Sequence, residues 1–388
     1  MTTAAEQRPV LPMGELSDYA GGPALMRAET ASDRLTLTWE SGEQSAFSLT
    51  WLRDHCPCPE CRHAKTRERL TIPLEPPERA PGAQLMEGNL ELVWADDHQS
   101  RFDAGWLHQR RPGQTPGDTI PARRPWAEGF QPVSVDHADF TGSAEGERAW
   151  LDALLRDGLV LLDNGPLADE EVSRLAERIG PLRPTNFGAR FDVRSKPNPN
   201  NAAYTAIGLA PHTDLPNWRQ PPDIQLLYCL ENGADGGEST FSDGFAAATA
   251  LRERSPEAFR LLSETPIDFR FQDDHHDIAW RAPILTLGAD GELLEVRFNN
   301  WIRDTLHLPP EQADAWYRAY REFWHLVHEP NQQLEFSLAP GQMVAFDNRR
   351  MLHGRKAFNP ESGRRHLQGT YLDLDLLESR LRVLARRA

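Results

Sequence analysis

A histidine and an aspartate separated by one residue, His212 and Asp214, constrain this chain more than any other feature. Alternate residues of an extended segment point to the same face, so on a strand both side chains could reach one ion. An imidazole and a carboxylate are two parts of the two-histidine, one-carboxylate ligand set, which leaves one face of Fe(II) open. The pattern therefore predicts that a third ligand comes from elsewhere in the chain.

His353 is the best candidate for that third ligand. A strand-like apolar run at residues 342–346 precedes it, and Gly354 follows it. Arg365 comes next, just before the strand-like run 366–371, where its guanidinium could bind a carboxylate through two hydrogen bonds. His-x-Asp triplets are common by chance, but the later histidine and arginine favour a functional site over a coincidence.

The order of His212, Asp214, His353 and Arg365 resembles that of the 2-oxoglutarate-dependent Fe(II) dioxygenases. Further short motifs across most of the chain resemble those of the branch of γ-butyrobetaine and trimethyllysine dioxygenases. These motifs are Asn200-Asn-Ala-Ala-Tyr204, Asp243-Gly244, Phe298-Asn-Asn300, Arg303-Asp304, Phe346-Asp-Asn348, Leu352-His-Gly-Arg-Lys356 and Arg365-His-Leu-x-Gly369. The resemblance implies an α+β fold: a distorted double-stranded β-helix (jelly-roll) catalytic domain with flanking helices, plus a small β-rich N-terminal zinc domain.

The same resemblance implies a reaction. Fe(II), 2-oxoglutarate and O2 would hydroxylate γ-butyrobetaine at C3 to give L-carnitine, with succinate and carbon dioxide as co-products and ascorbate as the reductant. Trimethyllysine or another trimethylammonium acid is the alternative substrate. A second alternative is a zinc-stabilised binding module without activity. The resemblance also suggests a homodimer.

Matched residue by residue, the resemblance assigns further site positions. Arg365 would anchor the distal carboxylate of 2-oxoglutarate, Ser239 would offer it a hydroxyl, and Arg364 is expected to face solvent. A quaternary ammonium donates no hydrogen bonds and is recognised by the faces of aromatic rings. The matched aromatic cage positions are Phe187, Phe191, Tyr204 and Tyr371, and the residues matched to the substrate carboxylate are Asn201 and Asn300. Relatives tend to carry Tyr or Trp at the first two cage positions, so the two phenylalanines are a departure.

Three of the four cysteines, Cys56, Cys58 and Cys61, lie within six residues. Disulfides are awkward in so tight a run, and three thiolates suit Zn(II), which needs a fourth ligand to complete a tetrahedron. The candidates are His55, His63 and His98. His98 matches the related family and would connect the cysteine loop to a following hairpin. A closed site of this kind is structural rather than catalytic, and a cluster of buried thiols is the weaker interpretation.

Patterns along the chain predict its organisation. Residues 1–20 are interpreted as a flexible tail, 21–115 as the β-rich zinc domain, 116–132 as a Pro-, Gly- and Arg-rich linker, and 133–388 as the catalytic domain. Within the catalytic domain, helices are predicted at 145–157, 169–179, 244–262 and 310–327, and sheet strands at 158–163, 284–287 and 293–298. An amphipathic helix at 374–388 is either an oligomer contact or a solvated end.

Composition excludes some classes of function. The formal net charge of -16 argues against non-specific binding to nucleic acid, which needs clustered positive charge. No apolar run approaches the length of a membrane helix, and the N-terminus lacks the apolar core of a signal peptide. We therefore expect a cytoplasmic protein with a small-molecule substrate and neither a nucleic acid nor a membrane as partner.

Overall fold

The computed structural model describes residues 8–16, 19–72, 75–114, 117–194 and 204–386. The chain separates into two compact units, Met1–Asp118 and Thr119–Ala388. Each unit has an apolar core of its own. Among the described residues, no helix combines the length and the apolar composition that crossing a membrane requires.

The N-terminal unit contains two antiparallel sheets of three strands each. Their strands are Leu25–Thr30, Arg34–Trp39 and Gln44–Ser48, then Gly82–Met86, Asn89–Val93 and Gln99–Phe102. In the second strand the alternating residues Leu35, Leu37 and Trp39 are buried and the intervening ones are more exposed. This period of two is the pattern from which a β-rich unit is predicted, and that prediction is confirmed.

Two six-residue helices in this unit, Leu49–Asp54 and Ala104–Gln109, are not anticipated by the sequence patterns. The side chains of Ser48 and Asp103 accept hydrogen bonds from backbone amides in the first turns and so cap the two helices. Because six residues cover fewer than two helical turns, the apolar period is too short to identify such a helix from sequence.

The second unit is built on two sheets. The six-stranded sheet contains, in spatial order, Val133–Asp136, Leu159–Asp163, Met343–Asp347, Ile224–Asn232, Arg365–Leu372 and Arg190–Val193. The four-stranded sheet contains Leu209–His212, Met351–Arg355, Ser239–Asp243 and Gln333–Phe336. Phe241 of the smaller sheet contacts Phe346 of the larger one, with ring centroids 5.1 Å apart. These packed sheets form the expected jelly-roll.

Helices cover the other face of the six-stranded sheet. Alternate residues of strand Met343–Asp347 divide between the two faces: Met343 and Ala345 pack under the helices, whereas Val344 and Phe346 pack between the sheets. The covering helices are Ala144–Asp157, Glu171–Glu177 and Leu374–Ala385. Burial on both faces explains why these strands are continuously apolar in sequence.

One predicted helix and two predicted strands of the catalytic domain differ in the structure. The helix predicted at 244–262 is two helices, Gly244–Arg254 and Pro256–Glu264, because proline lacks an amide hydrogen and excludes the helical conformation at the residue before it. The strands predicted at 284–287 and 293–298 pair only with each other, as Leu285–Leu287 and Leu293–Val296, and pack against these helices and helix Pro310–Val327.

The C-terminal helix, Leu374–Ala385, uses its apolar face within the chain. Leu377, Leu381 and Leu384 are buried in the core beneath helix Ala144–Asp157. Arg380 adds an ion pair with the buried Glu147, 2.6 Å from Nε to Oε1. The apolar face of this helix is therefore covered within the chain.

Part of the predicted linker 116–132 belongs to the second unit, which begins at Thr119. Trp126 is buried, its backbone amide donates to Asp243 Oδ2 at 3.0 Å, and its indole donates to the carbonyl of Asp157 at 2.7 Å. Asp243 also forms a fully buried ion pair with Arg350. The segment whose composition is typical of a linker therefore includes residues that are anchored in the second unit.

Candidate metal centre and active site

Strand pairing brings the two candidate histidine ligands together. Strand Leu209–His212 runs antiparallel to Met351–Arg355, and His212 lies directly opposite His353. Residues that face each other across a ladder project on the same side of the sheet. Their ring centroids are accordingly 4.3 Å apart, and both side chains are buried.

Asp214 joins the two histidines from a bend and not from the continuous strand that the sequence predicts. The strand ends at His212, and Asp214 lies in the bend that follows, where the amide of Thr213 donates to the carbonyl of Phe298. Asp214 Oδ1 is 3.5 Å from His212 Nε2, and Oδ2 is 3.7 Å from His353 Nε2. The donor atoms of the three residues lie within 4.8 Å of one another.

The bend is held by Asn348, which is fully buried. Its Oδ1 accepts from the backbone amide of Asp214 at 2.7 Å, and its Nδ2 donates to the carbonyls of Asp214 and Pro222 at 3.1 and 2.9 Å. The next residue, Leu215, has a positive φ of 55°, a backbone conformation that residues other than glycine rarely adopt. One amide side chain therefore fixes the backbone of the candidate carboxylate ligand from both sides.

The protonation states of the cluster suit a metal ion. Burial, helped by the neighbouring His212, lowers the pKa of His353 to about 3, so this ring is neutral at physiological pH. Burial alone would raise the pKa of Asp214, but the two histidines and the Tyr371 hydroxyl lower it well below its usual value. The ring nitrogen Nδ1 of His212 lies 2.9 Å from the carbonyl of Ala210, which directs Nε2 towards the cluster. Neutral imidazoles and an ionised carboxylate are the forms that bind metals.

A cavity of about 300 Å³ opens beside the three residues. Arg365 and Ser239 both line it, and Arg365 is the first residue of strand Arg365–Leu372. Burial lowers the pKa of the Arg365 guanidinium, which remains a cation. The side chain of Arg364 is 89 % exposed, which agrees with the opposite orientation of neighbouring strand residues.

The four matched aromatic residues all line this cavity. They are Phe187, Phe191, Tyr204 and Tyr371. The rings of Phe191 and Tyr371 are 5.2 Å apart. Phe191 lies opposite Gly369 across the strand pair, and a Cβ at Gly369 would be 2.5 Å from the Phe191 ring. The glycine therefore provides the space that the Phe191 ring occupies.

Of the two matched asparagines, only Asn300 is among the described residues, and it does not line the cavity. Asn201 lies outside the described residues. Asn300 is exposed, and its Oδ1 accepts a hydrogen bond from Arg303, whereas the adjacent Asn299 lines the cavity. A shift of one residue moves a side chain to the other side of an extended backbone, and the sequence word Phe298-Asn-Asn300 offers both asparagines without indicating which one faces inward.

Phe271, Trp301 and Arg355 also line the cavity and are not among the site residues predicted from the sequence. Phe271 comes from the hairpin of Ile267–Gln272 and Asp277–Ala282, and its ring contacts Phe187. The Trp301 ring meets His212 edge to face at 4.8 Å while remaining 44 % exposed. Arg355 was visible as the second residue after His353 on the same strand, where alternation could have identified it.

The cysteine cluster forms the second metal-like group. His98 Nε2 is 3.3 Å from Cys56 Sγ and 3.6 Å from the sulfurs of both Cys58 and Cys61. A tetrahedral zinc ion, with bonds of about 2.3 Å to sulfur and 2.0 Å to nitrogen, would require roughly 3.5 Å between these atoms. His98 Nδ1 faces Glu60 at 3.3 Å, the kind of contact that orients a histidine ligand. The donor set and its spacing fit zinc.

The other candidates for the fourth zinc ligand have different partners. His55 lies 2.8 Å from the carbonyl of Trp51 through Nδ1 and stacks on the Trp51 ring. His63 Nδ1 accepts from the amide of Thr66. Burial raises the pKa of the Cys56 thiol to about 12, so in this buried position a bound cation is needed to keep a thiolate at neutral pH.

A jelly-roll in which two histidines and one carboxylate converge beside a cavity is the architecture of the mononuclear non-haem dioxygenases. Residues 122–371 match the family model "Taurine catabolism dioxygenase TauD, TfdA family", and residues 26–108 match "Gamma-butyrobetaine hydroxylase-like, N-terminal". The chain belongs to this dioxygenase family, in its branch of γ-butyrobetaine and trimethyllysine dioxygenases.

Named relatives match over nearly the whole chain. Gamma-butyrobetaine dioxygenase of Pseudomonas sp. (strain AK-1) is 39% identical over 96% of this chain and 100% of its own length. Gamma-butyrobetaine dioxygenase of Homo sapiens is 34% identical over 91% of this chain and 95% of its own. Mitochondrial trimethyllysine dioxygenase of Homo sapiens is 31% identical over 92% and 90% of the two chains.

Replacing one cysteine tests the zinc assignment. We expect Cys58→Ser to weaken zinc binding by on the order of 100-fold, because a neutral hydroxyl replaces a thiolate in a closed tetrahedral site. Zinc content after dialysis against a graded series of chelator concentrations measures the effect. The control is Cys229→Ser, which changes the one cysteine outside the cluster. Equal zinc retention in the two variants would contradict the assignment.

Proposed function

We propose that the protein uses Fe(II), 2-oxoglutarate and O2 to hydroxylate γ-butyrobetaine at C3, giving L-carnitine, succinate and carbon dioxide. The observation that carries the proposal is one cavity lined by the three candidate iron ligands, by a buried arginine and by the four matched aromatic rings. The relative named gamma-butyrobetaine dioxygenase at 39% identity, against 31% for the human trimethyllysine dioxygenase, favours γ-butyrobetaine as the substrate.

In this proposal His212, Asp214 and His353 hold the iron. When bound, the iron supplies the oxidation that decarboxylates 2-oxoglutarate and inserts oxygen into a C–H bond of the substrate. The three side chains contribute two neutral nitrogens and one carboxylate oxygen and leave positions for the co-substrate and O2. Buried surroundings and the fixed backbone of Asp214 reduce the rearrangement needed when the ion binds.

Arg365 would hold the distal carboxylate of 2-oxoglutarate. Its guanidinium is largely buried, where a charge-assisted pair with a carboxylate is stronger than in water. The wall of Phe358 supports it, since both the Arg365 and Arg355 guanidiniums lie over that ring, 5.7 and 4.9 Å from its centroid. Ser239 lies opposite Arg355 in the neighbouring strand and is proposed as a hydroxyl partner of the co-substrate.

The aromatic part of the cavity would bind the trimethylammonium group. Tyr371 lies six positions after Arg365 on one strand, so their Cα atoms are roughly 20 Å apart at 3.3 Å per residue. The four rings that line the cavity offer cation-π contacts, each worth about 0.5–2 kcal/mol. Asp214 is the carboxylate among the described residues that line the cavity, and it is committed to the iron in this proposal. Asn201 remains the proposed partner of the substrate carboxylate.

The functions of zinc and ascorbate and the assembly of the protein are proposed from the same family resemblance. Zinc held by Cys56, Cys58, Cys61 and His98 would stabilise the N-terminal unit without taking part in the reaction, because four protein ligands close the site. Ascorbate is proposed as the reductant that maintains Fe(II). We further propose a cytoplasmic homodimer that binds neither nucleic acid nor membrane.

Turnover with a panel of trimethylammonium acids tests the function directly. We expect succinate release to be stimulated most by γ-butyrobetaine, with a matching amount of C3-hydroxylated product. Preference for trimethyllysine would transfer the function to the alternative substrate. The absence of substrate-stimulated succinate from the zinc- and iron-loaded protein would support a binding module and contradict the proposal.

Removing the anchor cation tests how the co-substrate binds. We expect Arg365→Ala to raise the KM for 2-oxoglutarate on the order of 10- to 100-fold, because the distal carboxylate loses a charge-assisted hydrogen-bonded pair. Iron affinity should remain within about twofold, since Arg365 is not among the candidate ligands. Arg364→Ala is the matched control at the exposed neighbouring position. An unchanged KM in Arg365→Ala would remove the anchor role.

A further inference from the structure

The hydroxyl of Tyr371 makes a contact that its place in an aromatic cage does not require. It donates a hydrogen bond to Asp214 Oδ2 over 2.8 Å. Tyr371 is only 3% exposed, so bulk water has little access to its hydroxyl. A phenylalanine would form the same ring wall without this bond, and Phe187 and Phe191 show that the cavity does use plain rings.

The strand that carries Tyr371 is held on both sides. Strand Arg365–Leu372 pairs with Ile224–Asn232 on one side and with Arg190–Val193 on the other. Tyr371 lies opposite Gln225 in this register, and the carbonyl of Tyr371 accepts a hydrogen bond from the amide of Arg183. The phenol oxygen is therefore presented to Asp214 from a fixed backbone rather than from a loop.

Asp214 has a fixed backbone but a short side chain that can still rotate. Asn348 holds the amide and the carbonyl of Asp214, and neither contact reaches the carboxylate. The ring nitrogens nearest to the carboxylate belong to His212 and His353, and in the proposed site they are turned towards the ion. The Tyr371 hydroxyl is thus the described hydrogen-bond donor that sets the plane of this carboxylate.

We infer that Tyr371 is a positioning residue whose hydroxyl orients the Asp214 carboxylate for iron, in addition to the cage function already proposed for its ring. This inference rests on the proposed iron site and deepens the proposed function. Partners that orient a metal-binding carboxylate typically change metal affinity or activity by 10–100-fold when removed. Because one side chain contacts both sites, the loss of the hydroxyl and the loss of the ring have different consequences.

Tyr371→Phe isolates the hydroxyl, because the ring and its packing against Phe191 remain. We expect the Fe(II) dissociation constant, measured by competition with a chromogenic chelator, to rise roughly 10- to 100-fold. The KM for γ-butyrobetaine at saturating iron should change by less than about threefold, because the cation still meets an aromatic face. Tyr371→Leu removes both groups, and we expect it to raise the iron dissociation constant and this KM together.

Tyr228→Phe is the matched control. Tyr228 is a fully buried tyrosine of the same sheet whose hydroxyl donates to the carbonyl of Pro166 at 2.8 Å, away from the cavity. Its loss should lower the melting temperature as Tyr371→Phe does while leaving iron affinity unchanged. Unchanged iron affinity in Tyr371→Phe, or an equal loss in Tyr228→Phe, would overturn the inference.

The iron measurement needs no turnover, so the inference and the proposed function can fail separately. Weaker iron binding in Tyr371→Phe, together with an unmodified protein that hydroxylates no trimethylammonium acid, would support the positioning function and reject the substrate. Normal turnover by the unmodified protein, together with unchanged iron affinity in the variant, would reject the positioning function and retain the substrate. If Tyr371→Phe fails to fold, the same iron titration on Tyr371→Leu decides the question: this variant also lacks the hydroxyl, so unchanged iron affinity would overturn the positioning function and weaker iron binding would support it.

Discussion

The antiparallel pairing of strands Leu209–His212 and Met351–Arg355 is the interaction on which the rest of the site depends. It places His212 opposite His353 although the two residues are far apart in the sequence. A slip of one residue in this register would turn one imidazole to the other face of the sheet and separate the pair. The neighbouring strand Ser239–Asp243 pairs along the other edge of Met351–Arg355 and so limits such a slip.

Apolar and polar contacts around this strand pair stabilise different parts of the site. Phe241 and Phe346 close the space between the two sheets on one side of His353, and the cavity opens on the other. Buried polar side chains then fix the irregular segments that no strand pairing holds. Arg297, for example, donates to the carbonyls of Pro216, Trp218 and Arg219 and thereby fixes the loop after Asp214. Partners of this kind are needed because buried carbonyls left without donors are costly.

Sequence patterns predicted the metal-ligand clusters because several ligands of each cluster lie close together in the chain. Cys56, Cys58 and Cys61 lie within one loop, and His212 and Asp214 within one triplet, so composition and spacing predicted both clusters that the structure brings together. The flanking strand-like runs indicated His353 and Arg365, and the resemblance to a known family supported the choice of His98 and supplied the four aromatic positions. The jelly-roll itself followed from that resemblance rather than from the strand patterns.

What the sequence did not predict depends on long-range packing. Phe271 and Trp301 enter the cavity from segments that show no separate signal, because an aromatic residue in a hairpin is usually part of a core. The choice between Asn299 and Asn300 depends on local backbone direction, which adjacent identical residues cannot reveal. Asp214 reaches the cluster from a bend, held by Asn348 from a distant turn. Such contacts become visible only when the strands are paired in space.

In the proposed function, His212, Asp214 and His353 hold one iron ion that is separate from the zinc of the N-terminal unit. The most direct test is to measure iron and zinc bound per chain in the unmodified protein and in Asp214→Ala after reconstitution with both metals. We expect one iron and one zinc per chain in the unmodified protein, and zinc without iron in the variant. Retention of a full equivalent of iron by Asp214→Ala would contradict it.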